Sequence, residues 1–138
     1  MKQIKYVTLA FAFALAAGAA AAAELPPLRE VKEIDQNMLW AGLAVEVGDE
    51  CPTIEVKKIK GLSFLWGLKN QASSMGYSDD EIRAYVESDK EEARIRHLGE
   101  DYVRRAGFDP KTPEGLCAFG EAEIAKGTRI GSFLRSVK

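Results

Sequence analysis

Two cysteines and a single histidine are the residues of this 138-residue chain whose types most readily do chemistry. Cys51 and Cys117 stand far apart, which excludes the two-residue spacing of a thioredoxin-like redox pair. His97 is followed by Glu100 and Asp101, a helical spacing that puts imidazole and carboxylate on one face. A zinc site needs three or four ligands, and no second histidine is present to help complete one. His97 therefore reads as a surface histidine beside an acid. The 21 Asp and Glu residues make chance neighbours common, and no two of them are singled out as facing each other across a cleft, as glycoside hydrolysis requires. Ser63, Ser73, Ser74, Ser78, Ser88, Ser132 and Ser136 show no nucleophile-elbow pattern. The acids around Asp79 and Asp80 lack the alternating ligands of a calcium loop. The expectation is a chain with no catalytic residue, cofactor or metal, and hence not an enzyme.

Binding signals are clearer. Lys57, Lys58 and Lys60 could meet an acidic partner or lipid phosphates, although a solvated helix face explains them more simply. Trp40 and Trp66 lie in segments 38–47 and 59–68, which carry more apolar residues than one buried stripe uses. Core packing is the plain reading. The alternative makes Trp40 and Trp66 a partner surface, since tryptophan is a frequent anchor in interfaces.

The start of the chain reads as an export signal. Lys2 and Lys5 precede an apolar run from Tyr6 to Ala17, and Ala21-Ala22-Ala23 suits a cleavage site before Glu24. Residues 1–23 are thus expected to be removed, leaving one domain, 24–138, without an integral membrane segment, in the periplasm. Cleavage takes two lysines and no acid, so 19 − 2 = 17 basic residues face 21 acids, a net charge of −4. That balance offers no footprint for nucleic acid and no general attraction to an anionic membrane. In an exported chain, two cysteines are most simply one disulfide, Cys51–Cys117; two separate thiols or a bond to a partner chain are the alternatives.

These features need elements to hold them, and the periodicity is helical throughout. Pro26-Pro27 makes a stiff start, and Leu28, Val31 and Ile34 follow at three-residue spacing. Asp35 is placed to cap the apolar helix that runs to Val47, and Cys51-Pro52-Thr53 breaks it. A second helix is expected over about 53–75, with Ile59, Leu62, Leu65, Ala72 and Met75 as its inward stripe, widened by Phe64, Trp66 and Leu68. Gly61 and Gly67 weaken it or admit a close neighbour. Gly76 can end it in the left-handed conformation. Ser78 and Glu81 have capping-box spacing, with Tyr77 and Ile82 as a hydrophobic staple. A third helix starts at Asp79 with Ile82, Tyr85 and Val86 inward. Ser88 and Glu91 repeat the capping spacing, which leaves open a break or a bend there. Gly107 stops that run, Thr112 and Pro113 start the next, and Lys126-Gly127 end it before a last turn with Ile130, Phe133 and Leu134. No strand pattern appears. The expected fold is all-α, a small bundle of about five helices stapled by one disulfide.

The chain resembles a family of small exported proteins, mainly alphaproteobacterial, catalogued only as a domain of unknown function. The resemblance rests on Leu28-Arg29, Cys51-Pro52-Thr53-Ile54, Gly76-Tyr77-Ser78 with Glu81-Ile82 and Tyr85-Val86, Tyr102, Gly107, Cys117 with Gly120 and Glu123-Ile124, and Gly131 with Leu134-Arg135. It implies a helical, disulfide-linked exported domain and supplies no activity. The functional expectation is a non-enzymatic interaction module, such as an accessory subunit of an envelope complex with a protein partner. A periplasmic stress chaperone, or an immunity or inhibitor protein, is the alternative.

Overall fold

A computed structural model describes residues 23–138. The export-signal reading of 1–23 falls almost wholly outside them. A 3-10 turn at Leu28–Glu30 leads into helix α1, Lys32–Glu50. Strand β1, Ile54–Val56, separates it from α2, Lys58–Ser74. Then come α3, Asp79–Val86, α4, Asp89–Arg105, α5, Pro113–Lys126, the single turn α6, Arg129–Ser132, and strand β2, Leu134–Ser136. Among the described residues the fold is thus all-helical but for one pair of three-residue strands. Five helices of eight residues or more and one short turn match the expected bundle.

Local chemistry sets most of the boundaries. Cys51 takes an extended conformation ahead of Pro52 and ends α1. Gly76, at φ +103°, turns the chain out of α2. The Ser78 side chain then accepts from the Glu81 amide while the Glu81 carboxylate accepts from the Ser78 amide at 2.7 Å, a complete capping box. The hydrogen bond from the Ser78 amide, and after it one with the Ser78 hydroxyl, hold the Glu81 carboxyl below its ordinary pKa. Ser88 resolves the open question in favour of a break: its side chain accepts from the Glu91 amide and starts α4 as a separate helix. Thr112 caps α5 with Pro113 in its first turn, and Gly127 closes it in the left-handed region.

The core forms two clusters. The larger joins Leu43, Ala44 and Val47 of α1 to Val103 of α4, Phe119 of α5, and Ile130, Phe133 and Leu134 near the C-terminus. At 0 % exposure, Phe119 is enclosed completely, a burial worth about 2–3 kcal/mol in transfer free energy alone. Gly120 lets α1 and β1 lie against α5, since a Cβ there would sit 2.6 Å from a Val47 methyl and 2.7 Å from an Ile54 methyl. The smaller cluster gathers Leu28, Ile34, Leu68, Ala72, Tyr77 and Ile82. Tyr77 and Ile82, the staple pair, are both in it.

Four expectations need correction. The second helix does not begin at Thr53, because Ile54–Val56 pair antiparallel with Leu134–Ser136, Glu55 facing Arg135. Three residues are too few for a period of two to show. Asp35 does not cap α1: the helix starts at Lys32 after Val31 without a side-chain cap, and Asp35 sits inside its first turn. Val86 points to solvent, 56 % exposed, not inward. Of the stripe expected to bury α2, Ile59, Leu62 and Leu65 are on the outer face, while Ala72 and Met75 do pack inward, together with Phe64 and Leu68.

Candidate functional site

Cys51 and Cys117 are bonded, with their Cα atoms 5.2 Å apart, and no free cysteine is present among the described residues. The bond ties the end of α1 to the first turns of α5. Cys51 is buried at 1 % exposure within the larger cluster. Its position is structural, and its sulfur lies 3.3 Å from the Thr53 hydroxyl.

The two tryptophans part company. Trp40 packs on the larger cluster, its ring edge-on to Tyr102 with centroids 5.1 Å apart. Trp66 is 62 % exposed on α2, beside Ile59 at 86 % and Leu62 at 60 %. The Lys69 ammonium lies 5.5 Å from the Trp66 ring centroid, close enough for a cation–π attraction. Of the proposed pair, only Trp66 therefore faces outward. Ile59, Leu62 and Trp66 follow one another by three and four residues, so they form a single ridge along α2.

Next to this ridge lies a groove of about 390 Å³ between α1, α2, α3 and α4. Met38, Val45, Leu65, Val86 and Ile95 supply its apolar walls, and Glu46, Asp49 and Glu92 line its rim. Leu65 belongs to both features: it lines the groove and sits on the helix that carries the ridge. Glu92 is paired with Arg96, whereas Glu46 and Asp49 have no ion-pair partner among the described residues. The sequence does not disclose the groove, because Val86, expected inward, lies on its wall and the apolar residues of 38–47 carry no mark of which of them face it.

Nor does the sequence disclose a charged network that shares Tyr85 and Glu91 with the groove lining. Asp35 accepts from the Tyr85 hydroxyl at 2.7 Å and from the Arg94 guanidinium; Arg94 also donates to Glu91 at 2.7 Å, and Arg29 pairs with the other Glu91 oxygen. Four elements, the 3-10 turn, α1, α3 and α4, are joined this way. Glu91, 7 % exposed, is thereby satisfied in a setting where an unpaired charge would be costly. The Asp35 hydrogen bond raises the Arg94 pKa further. Burial, then the hydrogen bond to Asp35, pushes the Tyr85 phenol well above its ordinary value.

That last shift has a sign. The folded protein keeps the Tyr85 proton where the unfolded chain, with an ordinary phenol near pH 10, releases it. The stabilisation is whole below about pH 10 and declines above it. Thermal melts from pH 8 to 11 should therefore show an alkaline fall in stability that is shallower in Tyr85→Phe. Tyr102, also raised by burial, retains part of the slope in that variant. Equal slopes in the two proteins would exclude the Tyr85–Asp35 hydrogen bond as drawn.

The remaining candidates are peripheral. His97 is exposed on α4, with Nε2 3.6 Å from an Asp101 oxygen. Lys60 lies over the Phe133 ring at 6.0 Å, and Lys57 reaches the Ser132 carbonyl at 3.5 Å. Among the described residues, no three His, Cys, Asp or Glu side chains gather as metal ligands. No helix among them is long and apolar enough to cross a membrane.

Residues 26–135 match the model of a family described as a family of unknown function, DUF5333. Comparison with curated proteins and with solved structures gives no match.

Proposed function

The chain belongs to the family of unknown function DUF5333, and from that premise we propose that it is a non-enzymatic interaction module of the cell envelope, working through the outer face of α2. The observation that carries this reading is the placement of Ile59, Leu62 and Trp66 at 60 % exposure or more while the interior is filled without them. Large apolar side chains exposed singly need no explanation, but a contiguous set beside an apolar groove marks a contact surface. Export to the periplasm agrees with the basic, alanine-rich start and with the internal disulfide.

Cross-linking in the native cells tests it. Benzoylphenylalanine in place of Trp66 is expected to give a covalent adduct with a polypeptide on irradiation, and the same residue in place of the exposed His97, outside the groove, is expected to give none. No adduct from position 66, or equal adducts from both positions, would overturn the reading.

A further inference from the structure

The charge around the ridge and groove narrows the partner. From Lys57 to Ser78 the chain has four lysines and no acid, so α2 is a basic helix in an otherwise acidic protein. Lys58 stands beside Ile59 and Leu62 at the head of this helix, while Lys69, beyond Trp66, is already paired with Asp79 at 3.4 Å. The groove is the reverse case: its apolar walls rise to the carboxylates of Glu46 and Asp49. A positive apolar ridge and a negative apolar groove thus share the wall made by Leu65.

An anionic bilayer would attract the ridge but repel the acids that open on the same apolar surface. Two ridges laid against each other would set lysines opposite lysines, and such like-charge juxtapositions cost several kcal/mol. A second copy turned by a two-fold axis meets neither objection, because in an isologous contact each ridge meets the other groove. Standard interfaces use about 20–30 residues a side, more than the ridge alone supplies, so the groove and rim complete the surface. Resting on the reading of α2 as the contact face, we propose that the chain forms a two-fold dimer in which Ile59, Leu62 and Trp66 of each copy occupy the groove walled by Val45, Leu65 and Val86 of the other, with Lys58 facing Glu46 and Asp49.

Two variants test the pairing. Trp66→Glu spoils the ridge and spares the groove; Val45→Lys, at a position 50 % exposed, spoils the groove and spares the ridge. By sedimentation equilibrium across the micromolar range, the wild type is expected to be dimeric. Each variant alone is expected to associate at least about 100-fold more weakly, since both of its symmetry-related contacts are lost. An equal mixture is expected to recover a dimer, because one ridge and one groove remain intact and the other contact opposes Glu to Lys. Leu62→Glu and Val86→Lys replace either variant whose melting curve shows that it fails to fold.

A monomeric wild type overturns the proposal, and its binding to vesicles of anionic phospholipid would assign the ridge to a bilayer instead. Dimerisation by Val45→Lys alone would mean ridge against ridge and overturns it too, as does a mixture that stays monomeric. Adducts from position 66 with a different polypeptide, from a chain that does not self-associate, would sink the dimer and leave the interaction reading standing. No adduct at all would sink both.

Discussion

Cys51→Ser and Cys117→Ser are each expected to lower the melting temperature by roughly 15 °C, the result of losing about 4 kcal/mol. The bridge spans 66 residues, and cross-linking a loop of that length removes much of the freedom of the unfolded chain; about 4 kcal/mol is the chain-entropy value. Domains of this size have only about 5–15 kcal/mol in total, so the loss is a large fraction. The loop contains β1, α2, α3 and α4, which means that the bond closes the bundle rather than pinning a tip. It also sits where α1 ends and β1 begins, against the face of α5 that Gly120 leaves open to Val47 and Ile54. Reduced wild-type protein should melt with the serine variants, because the bond and not the sulfur packing carries the effect. A melting curve indifferent to reductant would remove the disulfide from the account of stability.

Sequence alone exposed those features whose partners lie within a few residues. Ser78 with Glu81, Ser88 with the Glu91 amide, Thr112 with Pro113, and Gly127 are local solutions to unsatisfied helix ends, so spacing is enough to find them. Asp35 shows the opposite case. By type it is a good cap, but Tyr85 and Arg94, 50 and 59 residues away, engage its carboxylate instead. Glu91 has capping-box spacing too, and its side chain turns to Arg29 and Arg94. The apolar pattern of α2 marks a helix without selecting its buried face: Ala72 and Met75 of the expected stripe pack inward, whereas Ile59, Leu62 and Leu65 do not. Its apolar residues cover more than half the circumference, and only contact with Leu28, Tyr77 and Ile82 selects the Leu68–Ala72 side. Trp66 is for that reason a surface residue and Trp40 a core one, a difference that residue type does not contain. β1 and β2 escaped because each is three residues long, and their pairing joins segments about 80 apart.

Gly131→Ala is expected to cost about 3 kcal/mol or more, although alanine is the better helix former and the site lies in α6. The chain leaves α5 through Gly127 at φ +64° and turns at once into α6, whose start Thr128 caps by accepting from the Gly131 amide at 3.1 Å. This tight reversal presses the α6 backbone onto the last turn of α5. A Cβ on residue 131 would lie well inside 3.0 Å of the Glu123 carbonyl, a separation real Cβ atoms essentially never show. The obstructing atoms are helix backbone and have no rotamer to change, so α6 itself must move, and overpacking of this kind costs about 1–3 kcal/mol, occasionally more. Movement here is felt widely. Ile130, Phe133 and Leu134, all at 2 % exposure or less, hang from this turn, and the Phe133 carbonyl accepts from the Lys57 amide at 2.7 Å at the head of α2. Two other glycines separate this cost from helix propensity. Gly127 has nothing within 4 Å but needs a left-handed backbone, so Gly127→Ala should lose only about 1 kcal/mol. Gly67, inside α2 and also with nothing within 4 Å, should gain about 0.5–1 kcal/mol as alanine. Urea unfolding with a constant m-value is expected to rank the proteins Gly67→Ala, wild type, Gly127→Ala, Gly131→Ala. Wild-type stability in Gly131→Ala would mean that α6 does not lie against α5 as described, and the anchoring of β2, and through it of the first turn of α2, would have to be sought elsewhere.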